Sequence, residues 1–242
     1  MKKGESPYVL LDAGNTIVHL DFEALVQTLV EAGGEPVDPA RLERAERATR
    51  AAMDTSRWAR SSTDSGRWKE YIAGMMAGAG VAAPAQDGWA EILRARDRHR
   101  TFWRRVPDET RRGLDRLAAA GVRMAVVSNS DGRVREILRR VGILDRFEFV
   151  IDSSEEGVEK PDPEIFRRAL ARAGVGPDGA LYVGDLYHID VLGARAAGLD
   201  AVLVDPDGTR GGLDCPRVRD LDELAERLLA GDLRPPERSV AG

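Results

Sequence analysis

Short, continuous apolar runs alternate with helical periodicities over most of the chain. Five runs have the length and apolar continuity of buried strands: YVLL from Tyr8, VRMAVVS from Val122, FEFVID from Phe147, ALYVGD from Ala180 and DAVLVD from Asp200. Helix-length amphipathic segments separate the last four runs and follow the fifth. Strands that alternate with helices in this way are typical of a parallel sheet covered on both faces. We therefore predict an α/β fold with a Rossmann-like parallel sheet.

The first predicted strand is separated from the others by a long stretch of helical pattern. Periodic segments with helix-capping residues run from Asp21 to about Arg105, and this stretch contains all four tryptophans, which we interpret as core residues. The pattern predicts two domains, an α/β core of residues 1–20 and 106–242 and an inserted helical cap of residues 21–105. An insertion at this point lies next to the carboxyl ends of the strands, where open α/β sheets bind ligands.

Composition and charge narrow the class of protein. Of the 242 residues, 43% are hydrophobic and 32% are charged, as in folded globular chains. No apolar run approaches the roughly 18 residues of a membrane-spanning helix. The net charge of -5 disfavours nucleic-acid binding, and the single cysteine, Cys215, excludes an internal disulfide and suits a reducing compartment. We expect a cytoplasmic monomer or homodimer without nucleic-acid or membrane partners.

Polar residues lie at or shortly after the ends of four predicted strands. They are Asp12, Ser128, Asn129, Lys160, Asp185 and Asp190. Parallel strands bring their carboxyl ends to one edge of the sheet, so we expect these side chains to converge. Three carboxylates would repel one another without a cation between them, and Mg²⁺ takes oxygen ligands of this kind. A hydroxyl and an ammonium beside such an ion favour phosphate binding, and a carboxylate can then act as nucleophile.

These motifs resemble those of the haloacid dehalogenase-like hydrolase superfamily, in the branch with a helical cap after the first strand. In chain order they read DAGNT, VVSN, EKPDPEIF and GDLYHIDVLGARAAG, and the resemblance covers about residues 8–230. It implies that Asp12 is a nucleophile that becomes an aspartyl-phosphate. It also implies that Ser128 and Asn129 bind substrate and that Lys160 neutralises both phosphate and nucleophile. Lys160 is one of only four lysines among 36 basic residues.

The resemblance further implies a magnesium ion. Its ligands would be the carboxylate of Asp12, the backbone carbonyl of Gly14, and the carboxylates of Asp185 and Asp190, with Asp190 holding either the metal or Lys160. The implied function is Mg²⁺-dependent hydrolysis of a small phosphorylated metabolite. Small residues after Asp12 fit this arrangement because they let the backbone come close to an ion and a phosphate.

Gly14 departs from the family pattern. Phosphatases of the family mostly carry DxDxT, in which the second Asp acts as general acid and base, and here Gly14 takes its place. Two other functions stay open: hydrolysis of C–X or C–P bonds, and non-catalytic binding of phosphate and metal. His19 or His188 could replace the missing acid, since histidine titrates near neutrality. Lys69 is the candidate for the Schiff-base lysine that a C–P hydrolase needs.

Basic residues of the predicted cap fall into two sets. The first set flanks the segment SRWARSSTDSGRWK, and its members either contact an anionic substrate or form a solvated helix face: Arg57, Arg60, Arg67 and Lys69. The second set interleaves with Glu43 and Glu46 at helical spacing, which predicts a solvent-facing stripe of local ion pairs. Its members are Arg41, Arg44, Arg47 and Arg50.

Overall fold

The computed structural model describes residues 7–55, 65–81, 83–99 and 101–233. The strands are β1 Tyr8–Leu11, β2 His19–Leu20, β3 Trp103–Arg105, β4 Met124–Ser128, β5 Val150–Asp152, β6 Ala180–Gly184, β7 Asp200–Val204 and β8 Arg217–Val218. The α-helices are α1 Phe22–Glu31, α2 Pro39–Met53, α3 Ser65–Gly78, α4 Ala83–His99, α5 Asp108–Ala119, α6 Val134–Arg140, α7 Ser153–Glu156, α8 Pro163–Ala173, α9 Leu192–Ala196 and α10 Leu221–Leu229.

The chain divides into two compact units. One comprises residues 1–19 and 106–242, and the other comprises residues 20–105. None of the described helices combines the length and the apolar character that a membrane crossing needs.

The first unit is built on a six-stranded sheet in the order β5-β4-β1-β6-β7-β8. Every neighbouring pair in this sheet is parallel. All four residues of β1 are buried because the strand lies between β4 and β6 in the middle of the sheet. Helices cover the sheet, so the predicted Rossmann-like α/β fold is confirmed.

Helix α8 shows how packing fixes the position of the segment before it. Its side chains Ile165 and Phe166 are completely buried against the sheet, and burying a side chain of this size stabilises a fold by about 1.5–3 kcal/mol. Asp162 caps the helix by accepting a hydrogen bond from the backbone N–H of Glu164 at 2.9 Å. Pro163 occupies the first turn, where its missing N–H costs nothing. Lys160, just ahead of this cap, is therefore anchored at the carboxyl edge of the sheet.

The second unit is a helical cluster with its own core. Its fully buried side chains include Leu25, Leu42, Ile72 and Leu93, one from each of the helices α1 to α4. Trp89 belongs to this core, while Trp68 and Trp103 pack against it. Trp58 lies outside the described residues. The interpretation of the tryptophans as core residues is therefore confirmed for Trp89, while Trp68 and Trp103 are partly buried at the edge of that core.

The structure differs from the sequence-based prediction at the end of the insertion and after β7. The last helix of the insertion was predicted to continue to about Arg105, but α4 ends at His99 and Trp103–Arg105 is a strand. The Asp97 carboxylate accepts hydrogen bonds from the backbone N–H of Phe102 at 2.8 Å and from the Thr101 hydroxyl at 3.2 Å, which turns the chain out of the helix. Strand β8 was not predicted because a two-residue strand has no periodicity to detect.

The predicted solvent-facing stripe is wrong for part of α2. Arg50 and Glu46 are buried, and the Arg50 Nε atom lies 3.1 Å from Glu46 Oε1. The Tyr71 hydroxyl, contributed by α3, donates to the same oxygen at 2.8 Å. Helix α3 packs along this side of α2 and covers the pair, which the sequence of α2 alone could not reveal.

Candidate active site

The loop after β1 closes into a tight turn that fixes Asp12 at the sheet edge. The Asp12 N–H donates to the Val183 carbonyl oxygen at 2.9 Å, which extends the β1–β6 ladder by one residue. The backbone N–H groups of Ile17 and Val18 both donate to the Ala13 carbonyl oxygen at 2.9 Å. Asn15 takes the left-handed position of the turn with φ 55°, a conformation that asparagine tolerates better than most residues. Asp12 is thereby buried with its carboxylate held in one place.

Lys160 is the centre of the cluster. Its ammonium nitrogen lies 2.6 Å from Asp12 Oδ1, 2.7 Å from Asp190 Oδ1 and 2.9 Å from the Tyr182 hydroxyl oxygen. The side chain is only 3% exposed. An ammonium has three N–H donors, so these three acceptors use all of them.

Four donors surround the Asp190 carboxylate. Lys160 Nζ and the Tyr182 hydroxyl, at 3.2 Å, face Oδ1. The backbone N–H groups of Asp185 and Leu186 donate to Oδ2 at 3.2 and 3.0 Å. An ionised carboxylate offers about four lone-pair directions, so protein donors occupy most of the acceptor capacity of Asp190. It ties Lys160 to the loop that carries Asp185.

Ser128 and Asn129 end the neighbouring strand β4 and its loop. Ser128 is buried and lies opposite Asp152 in the β4–β5 ladder. The Asn129 side chain forms two hydrogen bonds with the backbone of Lys160. Its Oδ1 accepts from the Lys160 N–H at 2.7 Å, and its Nδ2 donates to the Lys160 carbonyl oxygen at 2.8 Å. The structure thus brings Asn129 together with Lys160.

Among the residues that the structure describes, one group of carboxylates could hold a metal ion. It consists of Asp12, Asp185 and Asp190, each with an oxygen within 4.8 Å of the others. One ammonium does not balance three buried carboxylates. Burial raises the pKa of Asp12 to about 6, and the charge of Asp190 adds to this rise while Lys160 opposes it. Burial by itself lowers the pKa of Lys160, but Asp12 and Asp190 outweigh it and raise that pKa, so the ammonium stays charged. The arrangement favours an additional cation.

Comparison with known proteins agrees with this geometry. A family model for haloacid dehalogenase-like hydrolases matches residues 8–198, which include every residue of the cluster.

The chain belongs to the haloacid dehalogenase-like hydrolase family.

Relatives with names match this chain over part of its length. Haloacid dehalogenase-like hydrolase domain-containing protein 3 of Danio rerio is 41% identical over 119 residues, which cover 48% of this chain and 49% of the relative. Phosphoserine phosphatase of Thermus thermophilus is 40% identical over 147 residues, covering 56% and 59%. The chain therefore spans about half the length of these relatives. A solved HAD-hydrolase from Bacillus subtilis has a TM-score of 0.69 at 20% identity, covering 93% of this chain and 99% of that one, which shows the shared fold.

Two residues in or near the cluster were not among the predicted site residues. Tyr182 lies inside the run ALYVGD, which was interpreted only as a buried strand. Asp152 ends β5, and its Oδ2 accepts from the backbone N–H of Gly132 at 3.0 Å, which holds the loop after Ser128. Asp152 could have been identified from the sequence, because it is a polar residue that ends a predicted strand, as the other site residues do. The hydroxyl of Tyr182 had no such signal.

The other candidate residues predicted from the sequence differ in their burial and contacts. His188 is half-buried, and its ring meets Tyr187 edge-on at 5.3 Å. His19 is half-buried in β2. Lys69 is exposed and pairs with Glu91, with 3.2 Å between Nζ and Oε1. Arg67 is buried. Arg57 and Arg60 lie outside the described residues.

Proposed function

We propose that this hydrolase is a Mg²⁺-dependent phosphatase that acts on a small phosphorylated metabolite through an aspartyl-phosphate at Asp12. The observation that carries the proposal is the ammonium of Lys160 held between the carboxylates of Asp12 and Asp190. This ammonium places a permanent positive charge directly beside the proposed nucleophile. A phosphoryl group brought there meets both an attacking carboxylate and a charge that offsets its own.

The proposed reaction has two steps at phosphorus. In the first, an oxygen of Asp12 forms a bond to phosphorus while the bond from phosphorus to the leaving-group oxygen breaks. Lys160 offsets the negative charge that gathers between them, and the Ser128 hydroxyl donates to a phosphoryl oxygen. In the second step, water attacks the phosphorus of the aspartyl-phosphate, which releases inorganic phosphate and restores the Asp12 carboxylate.

The residues present fit a magnesium ion. The donor set is made of oxygens, as this hard cation requires, and the cluster carries more buried negative charge than Lys160 balances. We propose that Asp12, Asp185 and the Gly14 carbonyl hold the ion, which when bound supplies Lewis-acid stabilisation of phosphoryl charge. Asp190 belongs to the same cluster. Because protein donors already surround its carboxylate, we propose that it mainly positions Lys160 and the Asp185 loop.

The relatives support the class of substrate. The Thermus thermophilus relative is named for the hydrolysis of phosphoserine, a small phosphate ester. The surroundings of Lys69 disfavour the C–P hydrolase alternative, because a Schiff-base lysine is normally made neutral by desolvation and this side chain is 50% exposed. The carboxylate cluster disfavours a metal-independent dehalogenase. Cys215 is the single cysteine of the chain and is buried, which is consistent with action in a reducing cytoplasm.

A panel of aryl, acyl and alkyl phosphates assayed with Mg²⁺ and with excess chelator tests the proposal. We expect phosphate release that requires the metal and that falls at least about 100-fold in Asp185→Asn, because one charged metal ligand is lost. The matched control is Asp205→Asn, a buried carboxylate at the end of β7 that accepts from the backbone of Thr209 and Arg210 instead. Full activity in chelator, or halide release without phosphate release, would overturn the proposal.

A further inference from the structure

Tyr182 is a buried polar residue that the proposed reaction does not use. It is the third residue of β6 and is completely buried. Its ring meets Phe166 of α8 edge-on, with 4.9 Å between centroids. This packing against the helix restrains the ring and, with it, the position of the hydroxyl.

The hydroxyl reaches three groups of the cluster. Its oxygen lies 2.9 Å from Lys160 Nζ, 3.1 Å from the Val127 carbonyl oxygen and 3.2 Å from Asp190 Oδ1. Lys160 has donors only, so the Tyr182 oxygen must accept from the ammonium. The single hydroxyl proton then faces the carbonyl and carboxylate oxygens. Tyr182 is thus both an acceptor for Lys160 and a donor to its surroundings.

The three acceptors of Lys160 differ in charge. Asp12 and Asp190 are carboxylates, and their attraction draws the ammonium onto the line between them. This attraction depends mainly on distance, so it does not fix the direction of the third N–H of the ammonium. The Tyr182 oxygen is the third acceptor and sets this remaining direction. Without it, one N–H of the ammonium would have no acceptor in this arrangement, which is costly for a side chain that is only 3% exposed.

We propose that Tyr182 is a positioning residue whose hydroxyl completes the hydrogen bonding of the Lys160 ammonium and so aims it at the Asp12 carboxylate. Tyr182 acts through Lys160, and its hydroxyl also contacts Asp190, which itself positions Lys160. The consequence for catalysis rests on the proposed function. The contact itself does not, and it can be measured in protein that turns nothing over.

The test compares Tyr182→Phe with Tyr8→Phe. Phenylalanine keeps the ring and its packing and removes only the hydroxyl. Tyr8 is the matched control because it is a buried tyrosine of the neighbouring strand β1, and its hydroxyl donates to Glu148 at 3.1 Å instead. Because the chain has only four lysines, isotope-labelled lysine gives few ammonium signals in nuclear magnetic resonance spectra. The Lys160 signal is assigned by its loss in Lys160→Arg.

We expect Tyr182→Phe to shift the Lys160 ammonium signal and to speed its proton exchange with water at least tenfold. In the same variant, kcat for phosphate release should fall roughly 10- to 100-fold with KM changed less than about threefold, since the aim of the ammonium matters most in the transition state. Tyr8→Phe should leave the Lys160 signal and kcat unchanged. An unshifted Lys160 signal with unchanged exchange in folded Tyr182→Phe would overturn the proposal.

A second measurement covers the case in which Tyr182→Phe does not fold. The chain has four tyrosines, and uniform fluorotyrosine labelling reports on each of them. Replacing Lys160 with methionine removes the donor, so the Tyr182 signal should move while the Tyr8 signal stays. A stationary Tyr182 signal would contradict the proposed contact. If the wild type shows no phosphatase activity, only the proposed function fails, because both spectroscopic measurements remain decisive for Tyr182.

Discussion

Lys160 has a geometry that a guanidinium cannot reproduce. Its compact ammonium directs three bonds to three acceptors within 2.9 Å in a buried site, whereas arginine spreads its donors over a wide plane. We expect Lys160→Arg to lower kcat/KM at least about 100-fold although the charge is kept. Steady-state kinetics check this, with the exposed Lys69→Arg as control. Wild-type turnover in Lys160→Arg would remove Lys160 from the mechanism, and a large loss in Lys69→Arg would revive the C–P hydrolase.

Gly14 should restrict which substrates react. An aryl oxide or carboxylate leaves as a stable anion, but an alkoxide needs a proton, and general acid catalysis is worth roughly 10²–10⁴-fold. We therefore expect kcat/KM for alkyl phosphates to lie at least about 100-fold below that for aryl or acyl phosphates. A ratio near one would mean that another group supplies the proton, and His19 and His188 would then be mutated first.

Introducing a carboxyl group at position 14 tests whether the lack of a proton donor there limits alkyl phosphate hydrolysis. The left-handed residue of the turn is Asn15, so a side chain at position 14 need not adopt that conformation. Gly14→Asp should raise alkyl phosphate hydrolysis more than aryl phosphate hydrolysis. Gly14→Asn, which has nearly the same shape but no acid, is the matched control. Equal gains in both variants would show that the effect is not proton donation.

At the scale of elements, the end of β6 depends on a glycine. A Cβ at Gly184 would lie 2.3 Å from Asp190 Cγ and 2.5 Å from Asp190 Oδ2, so Asp190 sits where a side chain would be. We expect Gly184→Ala to lower the free energy of unfolding by about 1–3 kcal/mol and to reduce activity by displacing Asp190 from Lys160. Gly176→Ala is the control, since a Cβ there meets nothing within 4 Å. Denaturant unfolding measures both, and equal stability would contradict the close approach.

The sequence could predict the elements whose patterns are long and the polar residues that end strands. The five core strands and the convergence of Asp12, Lys160 and Asp190 follow from apolar runs and from the parallel topology. What could not be predicted depends on neighbours remote in the chain. In the sequence Tyr182 is one residue of an apolar strand, and the direction of its hydroxyl depends on packing against α8. Arg50 lies on a polar helix face in the sequence and is buried only because α3 covers it.

At the scale of the whole molecule, Cys215 reports on unfolding of the sheet unit. It lies in the core cluster, and burial raises the pKa of its thiol to about 11. At pH 8 the native thiol should be alkylated at least ~100-fold more slowly than the unfolded one, because the thiolate is the reactive form. The folded protein should also lose stability as the pH rises from about 9 towards 11, since the unfolded thiol ionises first. Equally fast labelling of native and denatured protein would contradict this burial.

The proposed function depends above all on phosphorylation of Asp12. The most direct measurement is an acid quench during turnover of an acyl or aryl phosphate, followed by peptide mass spectrometry of the segment that contains Asp12. Because Gly14 supplies neither acid nor base, the second step should be slow. We therefore expect a phosphoryl group on Asp12 in the wild type and none in Asp12→Asn, which should also be inactive. Phosphate release without any phosphoryl group on Asp12, or turnover by Asp12→Asn, would contradict it.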